Sequence, residues 1–175
     1  MIVLHHAELF YCGNGIVDLQ GEGRNIRSAR RVLRTIINLK SKIFGDMTIF
    51  SKIIAGQIPS YKIAENEKFF AFLDIFPLRE GHVLVVPKTE VDNLFDLPQE
   101  YLQEMLLFAQ PIARAIEKAF NCNRCGISVI GLEVPHAHLH LIPINSANDL
   151  NFTQHKPKAS EESLKKVQEE ILAKL

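Results

Sequence analysis

The 175-residue sequence contains no tryptophan and only three cysteines, Cys12, Cys122 and Cys125. An odd and small number of cysteines excludes a disulfide framework as the basis of the fold. Cys122 and Cys125 have the spacing of half a zinc site, but no second pair occurs, so two ordinary thiols are the simpler interpretation. No apolar run approaches the roughly 20 residues that span a bilayer, and residues 1–7 lack the pattern of a secretory signal. We therefore expect a cytoplasmic protein without a membrane partner.

The sequence also lacks an excess of charge, because 20 basic residues balance 20 acidic ones. Binding to a nucleic-acid backbone depends on many uncompensated Lys and Arg side chains, so no nucleic-acid partner is expected. A Gly-rich phosphate loop of the P-loop or Rossmann kind is missing as well. The composition, 47% hydrophobic and 23% charged, is that of an ordinary globular domain.

A break in the sequence pattern near Gly45–Met47 separates two regions. Residues 1–46 are interpreted as an N-terminal extension of uncertain status, containing a basic helical pattern between Arg24 and Ile37. Two interpretations stay open: a targeting or membrane-surface element, or an appendage outside the native domain, with Met47 as its start. From Met47 onwards the periodicity is regular, and a single domain is expected.

Short strands and helices follow one another after Met47. The pattern predicts helices at Ile49–Ala55, Pro98–Phe120 and after Ser160, and strands at Tyr61–Ala64, Phe69–Asp74, His82–Val86, Gly126–Ile130 and Ala137–Ile142. Pro111 lies inside the long helix and predicts a kink or break there. Strands in runs with helices between them predict an α+β fold with a mostly antiparallel sheet.

Three histidines alternate with apolar residues in the segment Pro135–Pro143. On a strand, His136, His138 and His140 would share one face. Three imidazoles in a row can bind zinc, can supply a nucleophile with supporting hydrogen-bond donors, or can be structural. The residues alone leave these three alternatives open.

The histidine segment resembles the motif of the histidine triad (HIT) family, and the resemblance extends over most of residues 47–145. Ile49–Pro59 is similar to the entry helix of the family's Hint-like branch, and Phe70–Pro77 and Gly81–Lys88 are similar to its central hairpin. The resemblance implies a HIT domain over residues 47–145, with a five-stranded sheet, a long helix and short flanking helices. Residues 146–175 would form a C-terminal segment with a terminal helix, and a homodimer is expected by analogy.

The resemblance also implies a role for each site residue. His138 would attack the α-phosphorus of a nucleotide, and His140 would contact the phosphate oxygens. His136 would order the triad and relay a proton, and His82 would face it from the hairpin. Asp74 would bind the ribose, and the base of a purine nucleotide would lie in an apolar slot formed by Ile49, Phe50, Ile53, Phe72 and Ile75. No metal or other cofactor is expected.

Some positions depart from the family pattern. Leu132 and Glu133 stand where many Hint-like members carry Gln and a small residue, and the segment Ser128–Gly131 is short. These departures concern the phosphate contacts. Retention of the third histidine favours hydrolysis of nucleoside 5′-phosphoramidates or related adenylates. A dinucleoside polyphosphate hydrolase, or a nucleotide-binding regulatory protein with little turnover, are the alternatives.

Overall fold

The computed structural model of the protein describes residues 10–12, 15–17, 47–153 and 157–175. By internal contacts the chain divides into two units, Met1–Asp46 and Met47–Leu175. In the first unit, the described strands β1 (Phe10–Cys12) and β2 (Gly15–Val17) pair antiparallel. The predicted helix between Arg24 and Ile37 lies outside the described residues.

The second unit is an α+β domain built on one five-stranded sheet, as the sequence pattern predicts. Its strands are β3 (Lys62–Glu65), β4 (Phe69–Leu73), β5 (Val83–Pro87), β6 (Arg124–Ser128) and β7 (Leu139–Ile144). The order across the sheet is β3-β4-β5-β7-β6, and every neighbouring pair is antiparallel. Strand β7, the last in sequence, therefore lies between β5 and β6 and is hydrogen-bonded to a neighbouring strand on both sides.

Three helices and two 3₁₀ turns complete the domain. The helices are α1 (Ile49–Ile54), α2 (Gln99–Ala119) and α3 (Glu161–Leu172), and the turns span Leu94–Asp96 and Ala147–Leu150. Helix α3 begins where predicted, because the Ser160 side chain accepts a hydrogen bond from the Ser163 amide. Within the described residues no helix is long and apolar enough to cross a membrane.

Helix α2 passes through Pro111 without a break, so of the kink or break predicted there, the break is wrong. Pro111 cannot donate a hydrogen bond to the carbonyl of Leu107. Both residues are exposed, and water can therefore reach the carbonyl that loses its partner. The solvent side of a helix tolerates proline better than the buried side for this reason.

The two faces of the sheet are covered unequally. One face packs on α2 and α3 in a core of 18 buried residues that includes Met105, Ile112, Leu141 and Ile171. The opposite face carries a smaller cluster formed by Phe50 of α1 with Phe70, Phe72, Leu84 and Val86 of the sheet. The smaller cluster leaves room on that face for polar side chains, and the histidines lie there.

Candidate active site

The strand that carries the histidine triad begins two residues later than the sequence predicts. The predicted strand begins at Ala137, whereas β7 begins at Leu139 and His136 lies in a bend before it. The register that pairs Val85 with Leu139 would bring Pro87 opposite Ala137, and Pro87 has no N–H for the ladder. The amide of Ala137 instead donates to the carbonyl of Val91, at 2.6 Å.

The predicted alternation of side chains nevertheless holds through this segment. Ala137, Leu139 and Leu141 belong to the large core, while the rings of His138 and His140 lie 4.7 Å apart, centroid to centroid. Directly opposite His140 are Leu84 on β5 and Ser128 on β6, which belong to the same face. Ser128 is therefore a hydroxyl neighbour of the triad that its sequence position alone does not reveal.

His138 presents one ring nitrogen whose protonation state is fixed. Its Nδ1 lies 2.7 Å from the backbone carbonyl oxygen of His136, and a carbonyl can only accept, so Nδ1 carries the proton. In the neutral ring Nε2 then has a free lone pair. Burial of the side chain lowers the pKa of His138 below its ordinary value of 6.5, against the opposing effects of the His136 carbonyl and of the Asp74 and Glu133 charges.

His136 is fully buried and both of its ring nitrogens are engaged. Nε2 donates to the carbonyl of Pro87 at 2.8 Å, and Nδ1 lies 2.9 Å from the hydroxyl of Thr48. The ring also contacts the edge of Phe50 at a centroid distance of 5.8 Å. This arrangement favours the ordering role of His136 over the proton relay.

His82 and His140 form a second hydrogen-bonded pair beside the nucleophile. The Leu78 amide donates to His82 Nδ1 at 3.2 Å, and His82 Nε2 lies 3.0 Å from His140 Nδ1. Asp74 Oδ2 also lies near His82 Nδ1, at 3.5 Å, but the nearer amide can only donate and makes this nitrogen an acceptor. His82 Nε2 then donates to His140, which directs the N–H of the neutral His140 ring to its Nε2.

Asp74 directly follows β4, one residue beyond the end of the strand, and is partly accessible. Its Oδ1 accepts a hydrogen bond from the Phe76 amide at 2.8 Å. Asp74 and His82 border a cavity of about 300 Å³ that Ser163 and Leu164 of the α3 region also line. None of the three triad histidines lines this cavity, and the Asp74 side chain is 17% exposed.

The predicted apolar slot is partly core and partly surface. Phe50 and Phe72 are buried and pack edge to face, with ring centroids 5.6 Å apart. Phe50 also contacts His138 at 5.1 Å, and Ile53 packs against the same cluster. The side chains of Ile49 and Ile75 are exposed.

Other residues beside the triad were not predicted from the sequence. The ring of Phe152 packs edge-on against His140 at 4.8 Å, and the hydroxyls of Thr48 and Ser51 approach His136. The cap of α1 is a sequence signal for Thr48, because threonine at this position commonly caps a helix. Phe152 follows the last strand and carries no such signal.

One group of three side chains could hold a metal ion among the residues that the structure describes. Ligand atoms of Asp74, His82 and His140 lie within 4.8 Å of one another. This group contains neither Cys122 nor Cys125. Burial raises the pKa of Cys125 to about 12 and that of Cys122 above its ordinary value, which favours neutral thiols over metal-binding thiolates.

Comparison with known proteins agrees with this geometry. A family model described as the HIT domain matches residues 55–147, more than half of the chain. The chain belongs to the HIT family. The HIT relative adenosine 5′-monophosphoramidase of Saccharomyces cerevisiae is 36% identical over 129 residues, which cover 73% of this chain and 82% of the yeast protein.

Solved HIT structures share the fold. A HIT-like protein from Bartonella henselae superposes with a TM-score of 0.65 at 31% identity, over 74% of this chain and 97% of the other. A histidine triad family protein from Mycobacterium smegmatis, described as Zn-bound, gives a TM-score of 0.60 at 31% identity, over 73% and 94%. The expected HIT-like fold is thereby confirmed.

Proposed function

We propose that this HIT protein hydrolyses nucleoside 5′-phosphoramidates or related adenylates at the α-phosphorus, through a covalent intermediate on His138. The observation that carries the proposal is the hydrogen bond of 2.7 Å between His138 Nδ1 and the His136 carbonyl. This bond leaves Nε2 unprotonated, as a nucleophile must be. The similarity to a protein named adenosine 5′-monophosphoramidase supports the choice of substrate.

The reaction has two steps. In the first, the lone pair of His138 Nε2 forms a bond to the α-phosphorus, and the phosphorus–nitrogen bond breaks. The departing amine takes the electron pair of that bond and a proton from solvent water. In the second step, the oxygen of a water molecule bonds to the phosphorus, the electron pair of the phosphorus–Nε2 bond returns to His138, the proton of the water passes to solvent, and the nucleoside monophosphate leaves. A covalent intermediate replaces one difficult displacement with two easier ones.

The paired histidines supply the charge stabilisation in this proposal. Because His82 Nε2 donates to His140 Nδ1, the neutral His140 ring carries its proton on Nε2, the atom that is proposed to contact the phosphate oxygens. A donor fixed before the reaction costs no reorganisation when negative charge develops on those oxygens. Ser128, opposite His140 in the sheet, is a further candidate donor on the side where the segment before the triad is short.

Asp74 is proposed to bind the ribose of a purine nucleotide. A carboxylate accepts hydrogen bonds from two neighbouring hydroxyls, and one oxygen of Asp74 is already oriented by the Phe76 amide. The exposed Ile49 and Ile75 would contact the base, while the buried Phe50 and Phe72 would support them. Residues 47–145 would be the catalytic domain, with residues 1–46 as an extension.

The active form is proposed to be a homodimer joined through β6. The other edge strand, β3, is protected, since Lys62 pairs with Glu65 and the carbonyl of Lys62 accepts from the Gln168 side chain. Strand β6 and the residues after it expose Ile127, Val129 and Ile130. Although the Cys125 amide of β6 donates to the Glu117 side chain, an edge with this much exposed apolar surface favours pairing with a second copy.

A substrate comparison tests the reaction. We expect the protein to convert adenosine 5′-phosphoramidate to AMP faster than it cleaves a diadenosine polyphosphate, and to keep its rate in a chelator. Preference for the polyphosphate would support the alternative hydrolase. Nucleotide binding without turnover of either compound would support a regulatory protein, and loss of the rate in chelator would indicate a metal enzyme at Asp74, His82 and His140.

The nucleophile is tested by the change His138→Ala. We expect turnover to fall on the order of 10⁴-fold or more, with AMP binding retained and no nucleotidyl adduct in the mass spectrum of the quenched protein. His5→Ala, a histidine outside the triad, is the control and should keep the wild-type rate. A near-normal rate in His138→Ala would overturn the mechanism.

A further inference from the structure

The buried ring of His136 depends on a hydroxyl from another part of the chain. Its Nε2 donates to the Pro87 carbonyl, so in the neutral ring Nδ1 must accept a hydrogen bond. Thr48 lies 2.9 Å from Nδ1, and the next nearest hydroxyl, that of Ser51, lies at 3.5 Å. A buried ring nitrogen without a partner is costly, and Thr48 therefore holds the ring in one orientation.

Thr48 is itself fixed by a small network at the start of α1. Its hydroxyl caps the helix by accepting from the Ser51 amide at 3.1 Å, and it lies 3.1 Å from the Ser51 hydroxyl. Glu90 completes the network, because one of its oxygens accepts from the Thr48 amide at 3.3 Å and from the Ser51 hydroxyl. The network ties the first turn of α1 to the loop after β5.

The same histidine connects this network to the nucleophile. The carbonyl of His136 is the acceptor for His138 Nδ1, and the amide of His136 donates to the Val134 carbonyl at 2.8 Å. His136 lies in a bend outside the strand, so the bonds from its ring to the Pro87 carbonyl and the Thr48 hydroxyl anchor the peptide segment that carries this carbonyl. The orientation of His136 therefore bears on the tautomer of His138.

We propose that Thr48, Ser51 and Glu90 are positioning residues that hold His138 in its reactive tautomer through His136. The inference rests on the proposed function and adds three positioning residues to it. Two of them, Thr48 and Ser51, are 88 and 85 positions away from His136 in the sequence. These residues act on the ring of His136 and not on the reacting atoms. Their loss should slow the chemical step more than it weakens substrate binding.

Thr48→Val tests the proposal, since valine keeps the shape of threonine and removes the hydroxyl. We expect kcat for adenosine 5′-phosphoramidate to fall about 10-fold, the equivalent of roughly 1.4 kcal/mol, with KM almost unchanged. Thr48→Ser should restore the rate. Thr89→Val is the matched control, because Thr89 is exposed and bonds only to the Tyr101 hydroxyl among the contacts described for its side chain. It should leave kcat unchanged.

Glu90→Ala is the second variant, at an exposed position outside the two buried clusters. We expect kcat to fall roughly 3-fold, because the network loses one acceptor and not the direct bond to His136. Wild-type kcat in both Thr48→Val and Glu90→Ala would overturn the proposal. An equal loss in Thr48→Ser and Thr48→Val would also overturn it, because the hydroxyl would then not be responsible.

Ring-nitrogen NMR of the free protein at a pH where the histidines are neutral keeps this test separate from the proposed function. In the wild type we expect one tautomer of His138, protonated at Nδ1, and a hydrogen-bonded Nδ1 in His136. In Thr48→Val the His136 Nδ1 signal should move towards that of an unbonded nitrogen, and His138 should populate both tautomers. An unchanged His138 signal would overturn the positioning role, whether or not the wild type hydrolyses either substrate.

Discussion

The buried imidazole of His138 has a direct consequence for the pH dependence of the reaction. Burial lowers its pKa below 6.5, so the neutral, nucleophilic form persists into mildly acidic solution. We expect kcat/KM to fall on the acidic side, as His138 becomes protonated, with the midpoint of this acidic limb below pH 6.5. A profile of kcat/KM between pH 4 and 8 measures this limb, and a midpoint above 6.5 would contradict the expectation.

Glu133 provides an internal check on the same limb. Its negative charge stabilises the protonated ring and so raises the pKa of His138. The exposed Glu133→Gln variant should therefore have its acidic limb at a lower pH than the wild type, by a small amount because solvent screens the charge. A shift in the opposite direction would exclude His138 as the group that titrates.

At the level of residues, the sequence predicts which histidines face the site but not what they contact. Alternation of apolar and histidine positions correctly separates His138 and His140 from Leu139 and Leu141. The partners of His136 come from Thr48 and from a backbone carbonyl at Pro87, which no local pattern links to it. Such long-range hydrogen bonds depend on the tertiary fold.

The turn before β5 depends on a glycine in a close approach. Gly81 has φ of +93°, and a Cβ at this position would lie 2.5 Å from the ring of Phe120. We expect Gly81→Ala to lower the free energy of unfolding by about 2–3 kcal/mol, through strain in the backbone and overpacking against the ring. Urea denaturation measures the difference.

Gly56→Ala is the matched control for that prediction. Gly56 also has a positive φ, +71°, but a Cβ there would meet no atom within 4 Å. This variant should lose about 1 kcal/mol from backbone strain alone. An equal loss of unfolding free energy in the two variants would show that the contact with Phe120 adds nothing to the cost of Gly81→Ala.

At the level of elements, the sequence predicts the helices and strands but places the ends of some incorrectly. Capping by Ser160 locates the start of α3, because the signal is local. The start of β7 is displaced from Ala137 to Leu139, since it depends on where the neighbouring β5 runs out of hydrogen-bond donors at Pro87. Boundaries set by a partner strand cannot be read from one segment.

For the whole molecule, the exposed edge at β6 predicts the assembly. Ile127 lies within this strand and is 49% exposed, so Ile127→Lys should not disturb the core. We expect the wild type to be a dimer in light scattering and Ile127→Lys to be monomeric at the same concentration. Phe95→Lys, at a site 80% exposed in a 3₁₀ turn, should remain dimeric. A wild-type monomer would contradict the proposed dimer.

The sequence predicts the overall architecture well because alternating strands and an amphipathic helix suffice to define an antiparallel sheet with one covered face. It does not predict which edge stays open. The sequence likewise does not predict which apolar side chains are buried. In helix α2, Leu106 matches the helical period of the core yet is 53% exposed. Periodicity assigns a side chain to a stripe, while burial depends on how far the neighbouring elements extend.

The acceptor that fixes the tautomer of His138 is a main-chain atom of His136. Substitution of any side chain, at position 136 or elsewhere, leaves that oxygen in the polypeptide. Point mutation can therefore misplace the acceptor but never delete it, and variants of this chain should retain some residual nucleophilicity as long as His138 itself persists. The genetic vulnerability of the reaction then lies in local geometry, a property that compensating changes at distant positions can restore.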